Sequence, residues 1–137
     1  KNGEQTIAGL GAVAVAPWTA EIDNASAFNS TTGEYTISIT GIYEISLTLY
    51  LTIFPSASAF YPAINLLVNN NIIRRAFAQI PAPSGSSVDA LTLPITSTLS
   101  LNAGDVISIS AQQFTSSSAS LRVGTGIISY FSITQIS

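Results

Sequence analysis

Every odd position from Tyr35 to Ile53 is apolar except Gly41, while the even positions are mostly Glu, Thr or Ser. Side chains of an extended chain point alternately to two faces, so a period of two demands one face buried and the other turned outward. The pattern runs for about twenty residues, against roughly five or six in an ordinary strand. Gly41 is therefore read as a corner where one strand ends and the next begins. Just upstream, Asn29 to Gly33 is a turn of Asn, Ser, Thr and Gly, with Gly33 free to take a positive φ. The order is strand, turn, strand, corner, strand.

The rest of the chain continues in this style. No window shows a sustained 3.6-residue period with a cap, whereas β-branched, aromatic and turn residues recur throughout. About ten strands are expected, near residues 11–16, 19–22, 25–28, 34–39, 42–54, 63–68, 72–79, 88–101, 105–113 and 126–136. Loops are expected at 55–62, 80–87 and 115–126. An even series of strands and turns points to an all-β sandwich or jelly roll.

Composition narrows the options. One domain is the natural count for 137 residues, and such a length can bury a real core. Hydrophobic residues make up 47% and charged ones only 8%, where roughly a quarter is usual, and mean hydropathy is +0.45. A surface so poor in charge is either covered by Ser, Thr and Asn or hidden against other subunits. The net charge of −3 comes with four basic residues, Lys1, Arg74, Arg75 and Arg122, and no basic stripe, which excludes a nucleic-acid footprint. The Arg74-Arg75 pair is read as solvated, its side chains pointing opposite ways; the functional alternative is a contact to an acidic ligand or a neighbouring subunit. Cysteine is absent, which tilts the source toward a microbe or virus. The apolar run from Ile7 to Trp18 is about twelve residues, short of the roughly twenty that cross a bilayer. It contains Gly and Pro and lacks a basic leader, so it is read as an early strand ended by Pro17 rather than a signal peptide or membrane insertion.

Two faces bear on assembly. Beside the apolar odd face of residues 42–54 (Tyr43, Ile45, Leu47, Leu49, Leu51, Ile53), the even face carries Ile42, Tyr50 and Phe54 among Glu44, Ser46, Thr48 and Thr52. Near the C-terminus Ile128 and Tyr130 stand opposite Ile127, Phe131 and Ile133. A solvated face does not need large aromatics, each able to bury some 150–250 Å². Ile42, Tyr50, Phe54, Ile128 and Tyr130 are therefore the candidate subunit interface.

Several residues together resemble the C1q-like globular head of the C1q/TNF-like superfamily. The first block is Phe28-Asn29, Thr32-Gly33, Tyr35 and Gly41-Ile42-Tyr43; the second runs from Leu99 through Asn102, Gly104 and Asp105 to Ile109. The Asn69-Asn70-Asn71 hairpin and the terminal Tyr130-Phe131 follow in the family's order. The resemblance implies a ten-stranded jelly roll over residues 12–137, assembling as a compact homotrimer. Residues 1–11 would then be an N-terminal segment following a collagen-like stalk, although Gly3, Gly9 and Gly11 keep no period of three. Bacterial relatives include collagen-like surface proteins of the Bacillus exosporium. Some C1q-like trimers bind calcium near the axis, and the oxygen ligands available here are Asp23, Asp89 and Asp105, which do not cluster in sequence. Asp105 is better explained as a turn former.

Catalytic chemistry finds little support. The run from Gly9 through Gly11 to Ala14 matches a dinucleotide fingerprint in letters but lacks the βαβ setting. Without His or Cys there is no triad base, thiol nucleophile or thiolate zinc ligand. Glu34 and Glu44 sit on the polar side of strands and are read as solvating charges rather than a glycosidase pair. Asn24 and Asn29 open glycosylation sequons that such a composition produces easily by chance. No enzyme and no cofactor are expected. The leading function is a trimeric head capping a collagen-like filament on a bacterial spore, cell or virion surface. The alternative is a recognition module that binds glycan or a protein receptor through the three loops, with Arg122 the one charge among them.

Overall fold

The computed structural model describes residues 1, 4–8, 11–53, 61–80, 89–114, 120–124 and 129–137, with the backbone alone at 8, 53, 89 and 120–122. Eleven strands are formed among the described residues: β1 (Gln5–Ala8), β2 (Val13–Ala14), β3 (Phe28–Asn29), β4 (Glu34–Thr36), β5 (Gly41–Ile53), β6 (Pro62–Val68), β7 (Asn71–Phe77), β8 (Asp89–Leu101), β9 (Val106–Gln113), β10 (Ser120–Val123) and β11 (Tyr130–Gln135). They make two antiparallel sheets packed face to face. In the first, β8 pairs with β5 along all of its length. On the other side of β5 lie β10, against residues 51–53, and β11, against residues 43–48, with β1 outside β10. The second sheet runs β3-β4-β9-β6-β7, and β2 pairs with β9 beyond β4.

The long alternation behaves as the period of two requires. Ile45, Leu47, Leu49 and Leu51 are each 0% exposed and Tyr43 is buried, so the odd face of β5 is the core. Ile64, Leu66, Ile107 and Ile109 meet it from the second sheet. Each such side chain contributes about 1.5–3 kcal/mol by leaving water. The corner expected at Gly41 is real: β4 ends at Thr36 and β5 starts at Gly41. A Cβ there would collide with the Ser137 carbonyl and the Gln135 amide, because the C-terminus closes over this point.

Side-chain oxygens hold the turns. The Thr31 and Thr32 amides donate to Asn29 Oδ1 at 3.0 and 3.2 Å, and Gly33, with φ 75°, donates to the Asn29 carbonyl at 2.8 Å. Between β6 and β7, Asn69 and Asn70 both take positive φ, 50° and 64°, the geometry of a two-residue hairpin turn that favours Asn. Asp105 fills the turn between β8 and β9, accepting from the Asn102 amide at 2.8 Å and from Asn69 Nδ2 at 2.8 Å. These bonds hold its carboxyl below the usual carboxylate range, the backbone donor contributing most.

Four expectations are corrected. Eleven strands stand among the described residues, where about ten were expected. Gln5–Ala8, within the segment read as preceding the head, is β1 and pairs with β10, so the ladder starts before residue 12. Ser120–Val123, inside the expected loop 115–126, is β10. Residues 19–22 are not a strand and join no ladder. For β1 and β10 a four-residue strand is too short to show a period of its own and exists through its partner.

Candidate functional site

The even face of β5 is the outward face of the first sheet, and register extends it sideways. Thr48 lies opposite both Tyr130 of β11 and Pro94 of β8; Glu44 lies opposite Thr134 and Thr98. The resulting surface is almost wholly threonine and serine, and Glu44 is the single charged side chain described on these three strands. Ile42 and Tyr130, placed there by sequence reasoning, are 40% and 48% exposed. Hydrogen bonding with the Thr48 side chain, then with Ser46, holds the Tyr130 pKa below the ordinary tyrosine value.

Tyr50 differs from its neighbours. At this residue β10 leaves β5 and β11 takes over, so its backbone loses a regular partner. The Gly124 amide donates to the Tyr50 carbonyl at 2.8 Å, and the Tyr50 amide donates to the buried Ser129 Oγ at 3.0 Å. A Cβ on Gly124 would sit 2.6 Å from Tyr50 Cδ1, so part of the ring is covered within the chain. Of the five interface candidates, Ile42, Tyr50 and Tyr130 share this face. Phe54 and Ile128 lie outside the described residues.

The residues that carry the family resemblance build one corner. Phe28 pairs with Tyr35, and the Phe28 and Trp18 rings stand 6.5 and 6.2 Å from Phe131. Trp18 Nε1 donates to the Val15 carbonyl at 2.6 Å, and the indole presses on Gly33, leaving no room for a Cβ. Tyr43 donates its hydroxyl to the Ile39 carbonyl at 2.6 Å. Beside this corner a cleft of about 510 Å³ is lined by Trp18, Asp23, Phe28, Tyr35, Phe131 and Ile133 among others. Burial, then the nearby Asp23 charge, raises the Tyr35 pKa. Asp23 accepts the Ala27 and Phe28 amides at 3.1 Å each, a turn-holding role.

Among the described residues no three acidic, His or Cys side chains converge as a metal site. Asp23 and Asp105 are each occupied by their own turns, and the Asp89 side chain is not described. Glu34 accepts the Thr32 hydroxyl at 2.9 Å, and Glu44 is exposed on the outward face. No described helix is long and apolar enough to cross a membrane.

The three loops named as a recognition surface leave one end of the sandwich. Ile53 at the end of β5 lies opposite Asp89, which begins β8, and Leu121, the second residue of β10. Pro62, opening β6, lies opposite Gln113 at the end of β9, and Ala63 lies opposite Phe77 at the end of β7. Residues 54–60, 81–88, 115–119 and 125–128 lie outside the described residues, as does the Arg122 side chain.

No family model and no curated protein sequence matches the chain. Among solved structures, the Eiger TNF from S. frugiperda superposes with a TM-score of 0.61 over 98% of this chain and 86% of that one, at 15% identity. The fold is the C1q/TNF-like jelly roll. The globular domain of zebrafish complement 1qA covers 98% of this chain and 95% of its own with a TM-score of 0.49 and 13% identity, and the assignment does not rest on it. Identities this low establish the fold alone.

Sequence reasoning missed one arrangement. On the second sheet Arg75 Nε donates to Asn65 Oδ1 at 2.6 Å, Asn65 Nδ2 donates to Ser110 Oγ at 2.9 Å, and the guanidinium carbon stands 5.3 Å from the centre of the Phe114 ring. Arg74 points the other way, as a strand requires, and donates to the Ile73 carbonyl at 2.9 Å. The bland expectation for the pair thus describes Arg74 better than Arg75. Only the β6–β9 and β6–β7 register, which includes an irregularity between Leu66 and Leu67, brings Asn65, Ser110 and Arg75 side by side.

Proposed function

We propose that the chain is a non-enzymatic head that assembles as a homotrimer through the outward face of its first sheet and caps a collagen-like filament. The setting is extracellular: a bacterial spore or cell surface, or a virion. The observation that carries the reading is the composition of that face, where β5, β8 and β11 present threonine and serine around Ile42, Tyr50 and Tyr130, with Glu44 the one described charge. Interfaces are depleted in charged residues at their centre and enriched in tyrosine. The C1q/TNF-like fold and the 8% charge of the whole chain support the same reading.

Sedimentation equilibrium at micromolar concentration tests it. The expected mass is three times the 14.3 kDa chain, and a monodisperse monomer removes the proposal. A run of Gly-x-y triplets encoded before Lys1 would supply the stalk, since only glycine fits the crowded axis of a triple helix. Ester, peptide and glycoside substrates should turn over at background rates, and hydrolysis abolished by Glu34→Gln or Glu44→Gln would contradict the non-enzymatic reading. A recognition role is the second reading, favoured by the exit of three inter-strand connections from one end of the sandwich.

A further inference from the structure

The strongest unexplained feature is the Asn65–Arg75–Phe114 arrangement near that end of the second sheet. Asn65 alternates with the core residues Ile64 and Leu66 and so points outward, yet it is 0% exposed. Its amide is committed at both ends: oxygen to Arg75, nitrogen to Ser110, itself only 6% exposed. The guanidinium is therefore anchored through Nε from beneath and flanked by an aromatic ring. Arginine normally loses considerable side-chain freedom when it binds; here that ordering is already in place. Both Nη groups have no partner among the described residues, and no described carboxylate pairs with Arg75. Two parallel N–H donors in a fixed plane match a carboxylate.

The surroundings define the rest of the ligand. Phe77 is 68% exposed and Phe114 is 46% exposed, the two phenylalanines among the exposed large hydrophobic residues described. Arg75 and Phe77 stand two residues apart on β7, the outermost strand of the sheet, so their side chains share a face at a spacing of roughly 6.6 Å. An extended peptide repeats its side chains at the same interval. With a net charge of −3, the chain as a whole does not attract anions, so selection depends on this one fixed cation and its aromatic neighbours.

We propose that the outward face of the second sheet is a docking site for an extended acidic peptide segment of a partner protein, Arg75 taking a carboxylate and Phe77 and Phe114 the apolar side chain two residues along. The site does not depend on trimer formation, so either proposal can fail alone.

The probe is the peptide acetyl-Thr-Glu-Thr-Phe-Thr-amide, titrated into the ¹⁵N-labelled chain by NMR. The Arg75 Nε–H and the Phe77, Ser110 and Phe114 amides should shift together. Replacing Glu by Gln in the peptide, or Arg75→Lys in the protein, should raise Kd by about tenfold or more, because a charge-assisted fork is lost. Phe77→Ser, at a position too exposed to unfold the chain, should weaken binding severalfold. Equal affinity for the Gln peptide overturns the proposal, as does the absence of any shift at millimolar peptide. Shifts of these amides with N-acetylneuraminic acid but not with the peptide assign the site to a glycan instead. Shifts that follow protein concentration without any peptide assign it to a second copy of the chain.

Discussion

The outward face of the first sheet lays its polar side chains open, with Tyr130 48% exposed among threonine and serine. The outward face of the second seals a polar side chain away: Asn65 lies under Arg75 and is fully buried. Both faces arise from the same alternation, apolar residues inward and polar residues outward. What differs is the neighbour across the strand. Opposite Thr48 stand Tyr130 and Pro94, and Thr48 stays partly exposed; opposite Asn65 stand Arg75 and Ser110, which close over it. Parity sets the direction in which a side chain points, and cross-strand partners set whether it meets water.

The core common to both faces provides the reference. Leu47→Ala, at a site with 0% exposure, should cost about 3–5 kcal/mol in urea unfolding, the transfer free energy plus the cavity left behind. A smaller loss would mean that the inner face of β5 repacks freely, and that the two outer faces are not supported by one rigid core.

Tyr130→Ala discriminates between the faces most directly. If the first sheet is a subunit interface, the change should cost at least about 2 kcal/mol per subunit and shift sedimentation toward monomer. An unaltered mass with stability within about ±0.5 kcal/mol would place this face in solvent. The melting temperature of the wild-type protein should also rise with concentration if unfolding is coupled to dissociation.

On the second sheet Asn65→Ala should cost about 1–3 kcal/mol at any protein concentration, because it strips the Arg75 Nε donor and the Ser110 hydroxyl of their shared partner. A neutral result would show that water replaces the amide and that the seal is loose. A concentration-dependent loss would move the subunit contact to this sheet.

The smallest effect lies on neither face. Asp105 is held below the ordinary carboxylate pKa by the Asn102 amide and the Asn69 side chain. Its ionised form is favoured on folding, so its contribution is complete above the unfolded carboxylate value and fades as pH falls through the lower folded one. Asp105→Asn should slightly flatten the acid side of the stability profile. An unchanged profile between pH 5 and pH 2 would show that these turn bonds do not favour the charge.

Much of the fold was legible because it is written locally. The twenty-residue alternation fixes β5 and its buried face, Asn29 and Gly33 specify a turn whose bonds span four residues, and Asn69-Asn70 can meet the positive φ of a hairpin. These features need only the neighbouring sequence. The strands β1 and β10 were illegible because four residues carry no period and gain their hydrogen bonds from each other and from β5. Ile42, Tyr50 and Tyr130 were placed on one face from parity, yet parity gave no sign that Gly124 presses on Tyr50.

The sequence by itself determined which face of each long strand is apolar and where the chain must turn, since side-chain direction and backbone φ are properties of single residues and their immediate neighbours. The tertiary structure alone decided that Asn65, Arg75, Ser110 and Phe114 meet. They come from β6, β7, β9 and the residue that follows β9, separated by up to 49 positions in the chain, and the irregular step between Leu66 and Leu67 sets which side chains of β6 and β7 face each other. A shift of one residue there would turn Arg75 to the opposite face.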